Sequence, residues 1–195
     1  MRVAPPSIVA WLWLAFVLCW LVLAQFNKKA SRSTSRRTAW ALRLAILVGA
    51  LVVILPRRHG VAGLFAPIGR ALPLHAGIAG QWAGVGLCLA GFGLAFWARA
   101  HIGRNWGMPM SLRQDHELVT SGPYAYVRHP IYSGLMLAMI GSALAVALLW
   151  LLLFALYFTY FIISARTEEK MMLAQFPDTY PAYRRRTKML IPFVF

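Results

Sequence analysis

IYSGLMLAMIGSALAVALLWLLLFALYFTYFIIS, residues 131–164, carries no charged side chain from end to end. As one helix it would be about 50 Å long, well beyond the ~30 Å hydrocarbon layer that a single crossing fills. The stretch is therefore read as two helices folded into a hairpin, with the turn near Ala143 to Trp150. A hairpin leaves and re-enters the same membrane face, so the segments that flank it are brought to one side. Both flanks are polar. Upstream lies HELVTSGPYAYVRHPIY, His116 to Tyr132, and downstream lies RTEEK, Arg166 to Lys170.

The upstream flank has the chemistry of a site. Gly122-Pro123 is a turn signal, Pro123 fixes φ near −65° and has no N–H, and Pro130 biases His129 away from the helical region. The backbone is therefore bent, with N–H and C=O groups left for other partners. Around them stand His116, Glu117, Tyr124, Tyr126, Arg128, His129 and Tyr132. In a membrane protein, non-helical backbone with ionisable side chains is tolerated where it lines a cavity or meets water. For Tyr126 an aromatic-belt position at the interface is the better reading, and Arg128 suits an interfacial anchor as well as a site.

Composition sets the class. The chain of 195 residues is 60% hydrophobic and 13% charged, against about 25% charged in an average soluble protein. Its net charge of +15 raises the question of nucleic acid. The basic residues, however, cluster in short segments flanking apolar runs, which is the positive-inside pattern, and no nucleic-acid partner is expected. Cys19 and Cys88 both fall inside apolar runs, where a thiol acts as a small hydrophobe, and suggest neither a metal site nor a disulfide framework.

The expected fold is an all-α integral membrane protein of about five transmembrane helices, forming one domain over residues 1–195, with spans in 1–98 and a catalytic half in 99–195. Ser7 to Phe26 is the first span. It is read as permanent because its apolar run is longer than a signal-peptide core and its basic cluster follows it. Thr38 to Leu55 is the second span, Ala76 to Ala98 the third, and the hairpin supplies the last two. Segment 57–75, with Arg57, Arg58 and Arg70, has no legible role. Glycines at 77, 80, 84, 86, 91 and 93 in the third span suit close helix approach. A tail helix from Arg166 is ended by Pro177. Fifteen of the 20 Lys and Arg residues fall on the loop 27–37, the region 99–128 and the tail. That bias puts the N-terminus outside and the C-terminus in the cytoplasm, in a bacterial inner membrane, with a cofactor pocket on the cytoplasmic side.

No His/Cys metal spacing, nucleophile elbow or phosphate-cradling glycine loop is present. Rings, free backbone donors, an arginine and a carboxylate pair at the membrane interface suit a zwitterionic or cationic small molecule carrying a flat ring. Such a molecule would sit beside an amphiphilic substrate entering from lipid.

At these residues the sequence resembles the isoprenylcysteine carboxyl methyltransferase family. The matching pattern is HELVTSGPYAYVRHPIY at 116–132, then Glu168-Glu169, then Phe176, Tyr180, Tyr183 and Pro192. The resemblance covers roughly the C-terminal half. It implies a polytopic enzyme that transfers a methyl group from S-adenosyl-L-methionine to the carboxylate of a C-terminal prenylated cysteine. By the same resemblance His116, Leu118, Val119, Tyr124, His129, Pro130, Tyr132, Glu168 and Glu169 hold the cofactor. The partners implied are the lipid bilayer and a lipophilic or prenylated substrate.

One position departs from the family. The arginine that orients the substrate carboxylate stands four residues before the glutamate there, whereas here that position is Ser164, and Arg166 stands two before Glu168. On a helix this is a rotation of about 200° instead of about 40°. That offset turns Arg166 toward another face, or else the substrate is not a carboxylate; if the acceptor is an acid, an arginine must orient it, with Arg166 the first candidate and Arg128 the second. Two other classes stay open: an amine-directed phospholipid methyltransferase, which needs a base where a carboxylate does not, and a non-catalytic membrane scaffold, which predicts no cofactor affinity.

Overall fold

The computed structural model describes residues 4–26, 30–33, 76–107, 111–113, 117–147 and 150–192. The expected second span, segment 57–75 and His116 lie outside the described residues. Among the described residues the architecture is helical. α1 spans Pro5–Ala24, α2 Ile78–Ile102, α3 Pro130–Ala145, α4 Trp150–Gln175 and α5 Tyr180–Arg186. Three of these, α1, α2 and α4, are long and apolar enough to cross a membrane, and the chain is an integral membrane protein. α3 ends at Ala145 and α4 begins at Trp150, both within the stretch expected for the hairpin turn.

Two helix ends differ from the sequence expectation, each for a physical reason. α2 runs past Ala98 through Arg99 and His101 to a glycine at φ 54°, Gly103. Arg99 does not stop the helix because its guanidinium serves the helix terminus. It donates to the Gly103 carbonyl at 2.5 Å and to the Leu23 carbonyl at the end of α1 at 2.8 Å, and it lies over the Trp106 ring. A cation on the last carbonyls is favourable with the helix dipole. The tail helix expected from Arg166 is the continuation of α4, so span and amphipathic extension form one rod that ends at Gln175, just before Pro177.

Arg99 also sets the C-terminal ends of α1 and α2 side by side. Two short strands make the same connection between loops: β1, Ala30–Ser33, pairs antiparallel with β2, Ser111–Arg113, with a bulge between Ala30 and Arg32. The loops after α1 and after α2 therefore share one face of the molecule.

α2 and α3 pack backbone to backbone. A Cβ built on Gly84 would lie 2.5 Å from the Gly141 carbonyl oxygen, and one built on Gly91 2.5 Å from that of Gly134. The reciprocal positions are equally tight, as antiparallel helices with glycine every seventh residue require. Of the other third-span glycines, Gly77, Gly86 and Gly93 face open space, and a Cβ built on Gly80 would meet the Ala76 Cβ at 2.6 Å instead of a neighbouring helix. Beside the seam Trp13 of α1 donates to Ser142 Oγ at 2.9 Å, and buried Cys88 reaches the Ala138 carbonyl at 3.2 Å. Phe16 stacks on Phe92 at 4.7 Å. α1 is thereby anchored to the α2–α3 pair.

Between α2 and α3 the chain bends as its prolines and glycines demand. Gly122, at φ 58°, opens a 3₁₀ turn over Gly122–Ala125, and the His101 ring occupies the place its Cβ would take. Tyr126 closes the turn in the helical region, His129 leaves it at φ −126° and ψ 59°, and α3 begins at Pro130. The backbone groups freed here are met by the tail. Val127 bridges Lys188 in parallel, Arg128 N–H donates to the Lys188 carbonyl at 2.8 Å, and His129 N–H donates to that of Met189 at 3.1 Å. Ser133 Oγ donates to the Leu190 carbonyl at 2.5 Å. Residues 187–190 thus form the backing of segment 126–129.

Candidate functional site

The hairpin returns Glu168 and Glu169, on α4, to the start of α3, where Arg128, His129 and Tyr132 stand. Tyr132 donates its hydroxyl to Glu168 Oε1 at 2.5 Å, and His129 Nδ1 lies 3.3 Å from Glu168 Oε2. Glu169 faces three cationic groups. Arg128 Nε is 2.6 Å from its Oε1, Arg184 Nε is 3.3 Å from its Oε2, and His129 Nε2 is 3.7 Å away. The two carboxylates therefore sit in different states. The Glu169 side chain is 7% exposed and bound by Arg128, whereas Glu168 keeps 24% of its side chain exposed.

Aromatic rings form the second layer. His129 stacks on Tyr132 with ring centres 5.5 Å apart, and Tyr132 stacks on Phe161 of α4 at 4.7 Å. Behind them Tyr183 of α5 donates to the Tyr124 carbonyl at 2.7 Å. Burial pushes the Tyr183 hydroxyl up to about 12 and raises Tyr124 and Tyr180 as well, so these phenols remain protonated donors. For His129 burial alone would lower the imidazole pKa. The hydrogen bonds and charges of Glu168 and Glu169 outweigh it and hold His129 above its usual range. The cluster pairs two carboxylates with an imidazole and two arginines, so its charges nearly compensate while one anion stays accessible. Chemically it suits a ligand that brings a cationic group to Glu168 and a ring to the aromatic layer.

Of the candidate residues, Arg128, His129, Tyr132, Glu168 and Glu169 are brought together, with Pro130 buried in the first turn of α3 and Tyr124 buried behind. Leu118 and Val119 are half-buried in the segment ahead of the 3₁₀ turn. Arg166 is exposed, on the side of α4 that its 200° offset from Glu168 implies. Arg128 is tied down: besides Glu169 it donates to the carbonyls of Thr187 and Arg184. Ser164 is fully buried. The sequence reading did not single out Phe161, Ser133, Thr187 and Arg184. Phase would have found Phe161, which lies two turns before Glu168 on the same face of the helix, with Ser164 and Ala165 between.

Residues 79–179 match the family described as phospholipid methyltransferase, a stretch that runs from α2 through the whole hairpin and both glutamates. The chain belongs to the phospholipid methyltransferase family. It is similar to the protein-S-isoprenylcysteine O-methyltransferase of Schizosaccharomyces pombe, 37% identical over 83 residues, 42% of this chain and 35% of the relative. It is also similar to the cobalt-zinc-cadmium resistance protein CzcN of Cupriavidus metallidurans, 37% identical over 99 residues, 48% of this chain and 44% of that one. A third relative is methanethiol S-methyltransferase 2 of Bradyrhizobium diazoefficiens, 41% identical over 73 residues, 37% of this chain and 27% of the relative. In each case the match spans less than half the relative's length. As a member of this phospholipid methyltransferase family with bilayer-length helices, the chain is a membrane protein of a methyltransferase class. The matched stretch ends before α5, so the tail that backs segment 126–129 lies beyond it.

Proposed function

We propose that the chain is an S-adenosyl-L-methionine-dependent methyltransferase acting on a lipophilic acceptor from the bilayer, with carboxyl O-methylation of an isoprenylcysteine-like molecule as the leading reaction. The observation that carries this reading is the inequality of the two carboxylates. Glu169 is committed to Arg128, while Glu168 is steadied by Tyr132 and His129 and keeps exposed surface. A donor with an ammonium group and a flat purine fits that chemistry: Glu168 meets the cation, and the rings of His129 and Tyr132, with Tyr124, Pro130, Leu118 and Val119, form the rest of its seat, to which the family resemblance alone adds His116. Glu169 supports from behind. When bound, the cofactor supplies a methyl group that is already activated. The chain's own residues then have to orient the acceptor and exclude water, and a carboxylate acceptor needs no base.

A second reading has a specific observation in its favour. Arg166 is exposed and Arg128 is held by Glu169 and two carbonyls, so an acceptor without a carboxylate, such as a phospholipid amine, needs neither. Incubation with methyl-labelled S-adenosyl-L-methionine and either N-acetyl-farnesylcysteine or phosphatidylethanolamine separates the two. Base-labile label in the first supports the leading reading. Label only in the second, with Arg166→Lys fully active, promotes the amine. Absence of S-adenosylhomocysteine binding by calorimetry would sink both.

The proposed orientation, N-terminus outside and site in the cytoplasm, draws on the distribution of Lys and Arg and on the ribbon that holds both loops on one face. With Cys19 and Cys88 replaced, a cysteine at Ser31 should resist an impermeant label in intact cells; efficient labelling reverses the orientation.

A further inference from the structure

Where α4 meets α5 there is a groove of about 380 Å³ lined by Leu173, Pro181, Arg184 and Arg185. Its depth in the membrane follows from the helix. The charge-free run ends before Arg166 and α4 continues to Gln175, so Leu173 lies beyond the hydrocarbon layer, on the headgroup side. Two of the lining residues are apolar and two carry guanidinium groups. Arg184 is 52% exposed and uses Nε toward Glu169, which leaves the further N–H donors of its fork for another acceptor. Arg185 is exposed beside it. The nearest acid along the chain, Asp178, sits exposed in the turn before α5.

We infer that this groove seats the phosphate of an anionic glycerophospholipid, held between Arg184 and Arg185, with the glycerol and first acyl carbons against Leu173 and Pro181. Guanidinium forks match phosphate oxygens in number and direction, and a freely soluble phosphate would leave the apolar half of the groove wet. Arg184 then touches both the lipid and Glu169. The seat is a lipid-contact site distinct from the pocket proposed for the methyl donor, and it does not depend on which acceptor is methylated.

The test is thermal unfolding of the purified chain in detergent micelles, titrated with dioleoyl-phosphatidylglycerol, with dioleoyl-phosphatidylcholine and with glycerol 3-phosphate. Wild type should be stabilised by phosphatidylglycerol and by neither of the others. Arg185→Gln should weaken that affinity by more than about tenfold, because a bidentate phosphate contact is lost. Arg186→Gln, one residue outside the groove, should weaken it by less than about twofold. A diffuse basic surface predicts instead an equal loss of about fivefold for each. Equal losses, or no preference for phosphatidylglycerol, would overturn the assignment, and equal stabilisation by glycerol 3-phosphate would replace the lipid with a soluble phosphate ester.

Discussion

Replacing Arg128 by methionine keeps most of the side chain's volume and removes its charge from a buried pair. Arg128 Nε lies 2.6 Å from Glu169 Oε1, with the two side chains 9% and 7% exposed. Deleting one partner of such a pair costs about 3–5 kcal/mol, because the other charge is left uncompensated. Arg184 at 3.3 Å and His129 at 3.7 Å remain beside Glu169 and pull the figure to the lower end. Loss of the donors to the Thr187 and Arg184 carbonyls adds roughly 1 kcal/mol. The sum is about 4 kcal/mol, and at about 2–4 °C per kcal/mol for a chain of this size it lowers Tm by roughly 8–16 °C. Tryptophan fluorescence during heating in detergent measures it. Glu169→Gln in the same background should recover part of the loss, with a coupling of at least about 1 kcal/mol. A Tm within about 2 °C of wild type for Arg128→Met, or strictly additive single and double variants, would refute the buried-pair account.

Glu168→Gln should weaken S-adenosylhomocysteine binding by about 1–3 kcal/mol while leaving Tm near wild type, and calorimetric titration reads it; unchanged affinity removes Glu168 from the donor seat. Because the folded-state pKa of His129 is raised, the stability it contributes is fully present below its unfolded pKa of about 6.5 and fades as pH rises through the raised value. The Tm advantage of wild type over His129→Gln should therefore be larger at pH 6 than at pH 9, and a gap that widens with pH contradicts the sign. Gly91→Leu and Gly134→Leu should each destabilise by more than the about 1–3 kcal/mol of ordinary overpacking, since the neighbour is backbone, whereas Gly93→Leu, facing open space, should be close to neutral in the same unfolding assay.

The sequence made legible those features that rest on length and phase. Residues 131–164 are too long for one crossing, and that alone predicts that Tyr132 and Glu168 approach; they do, at hydrogen-bond distance. The helical offset between Arg166 and Glu168 likewise anticipated that the arginine faces elsewhere. What was not legible depends on backbone. Residues 187–190 dock on 126–129 through N–H and C=O groups, which every residue carries, so no side-chain pattern announces the pairing. The same is true of the ribbon between β1 and β2. That α2 continues beyond the third span was not legible either, because charge normally marks a helix's exit, whereas the Arg99 fork turns back onto the Gly103 and Leu23 carbonyls. The difference between Glu168 and Glu169 was also hidden, since adjacent identical residues are told apart only by what packs on each side of the helix.

The docking of residues 187–190 against 126–129 also imposes an order of events on synthesis. The glycine seam between α2 and α3 draws on residues made long before the tail. The backbone donors of Arg128 and His129, by contrast, wait for acceptors some 60 positions later, at Lys188 and Met189. Until residue 190 has cleared the ribosome, the bend that carries the imidazole has nothing behind it. A chain stopped shortly before that point would carry α1 to α5 yet lack the carbonyls that fix the bend at Arg128 and His129.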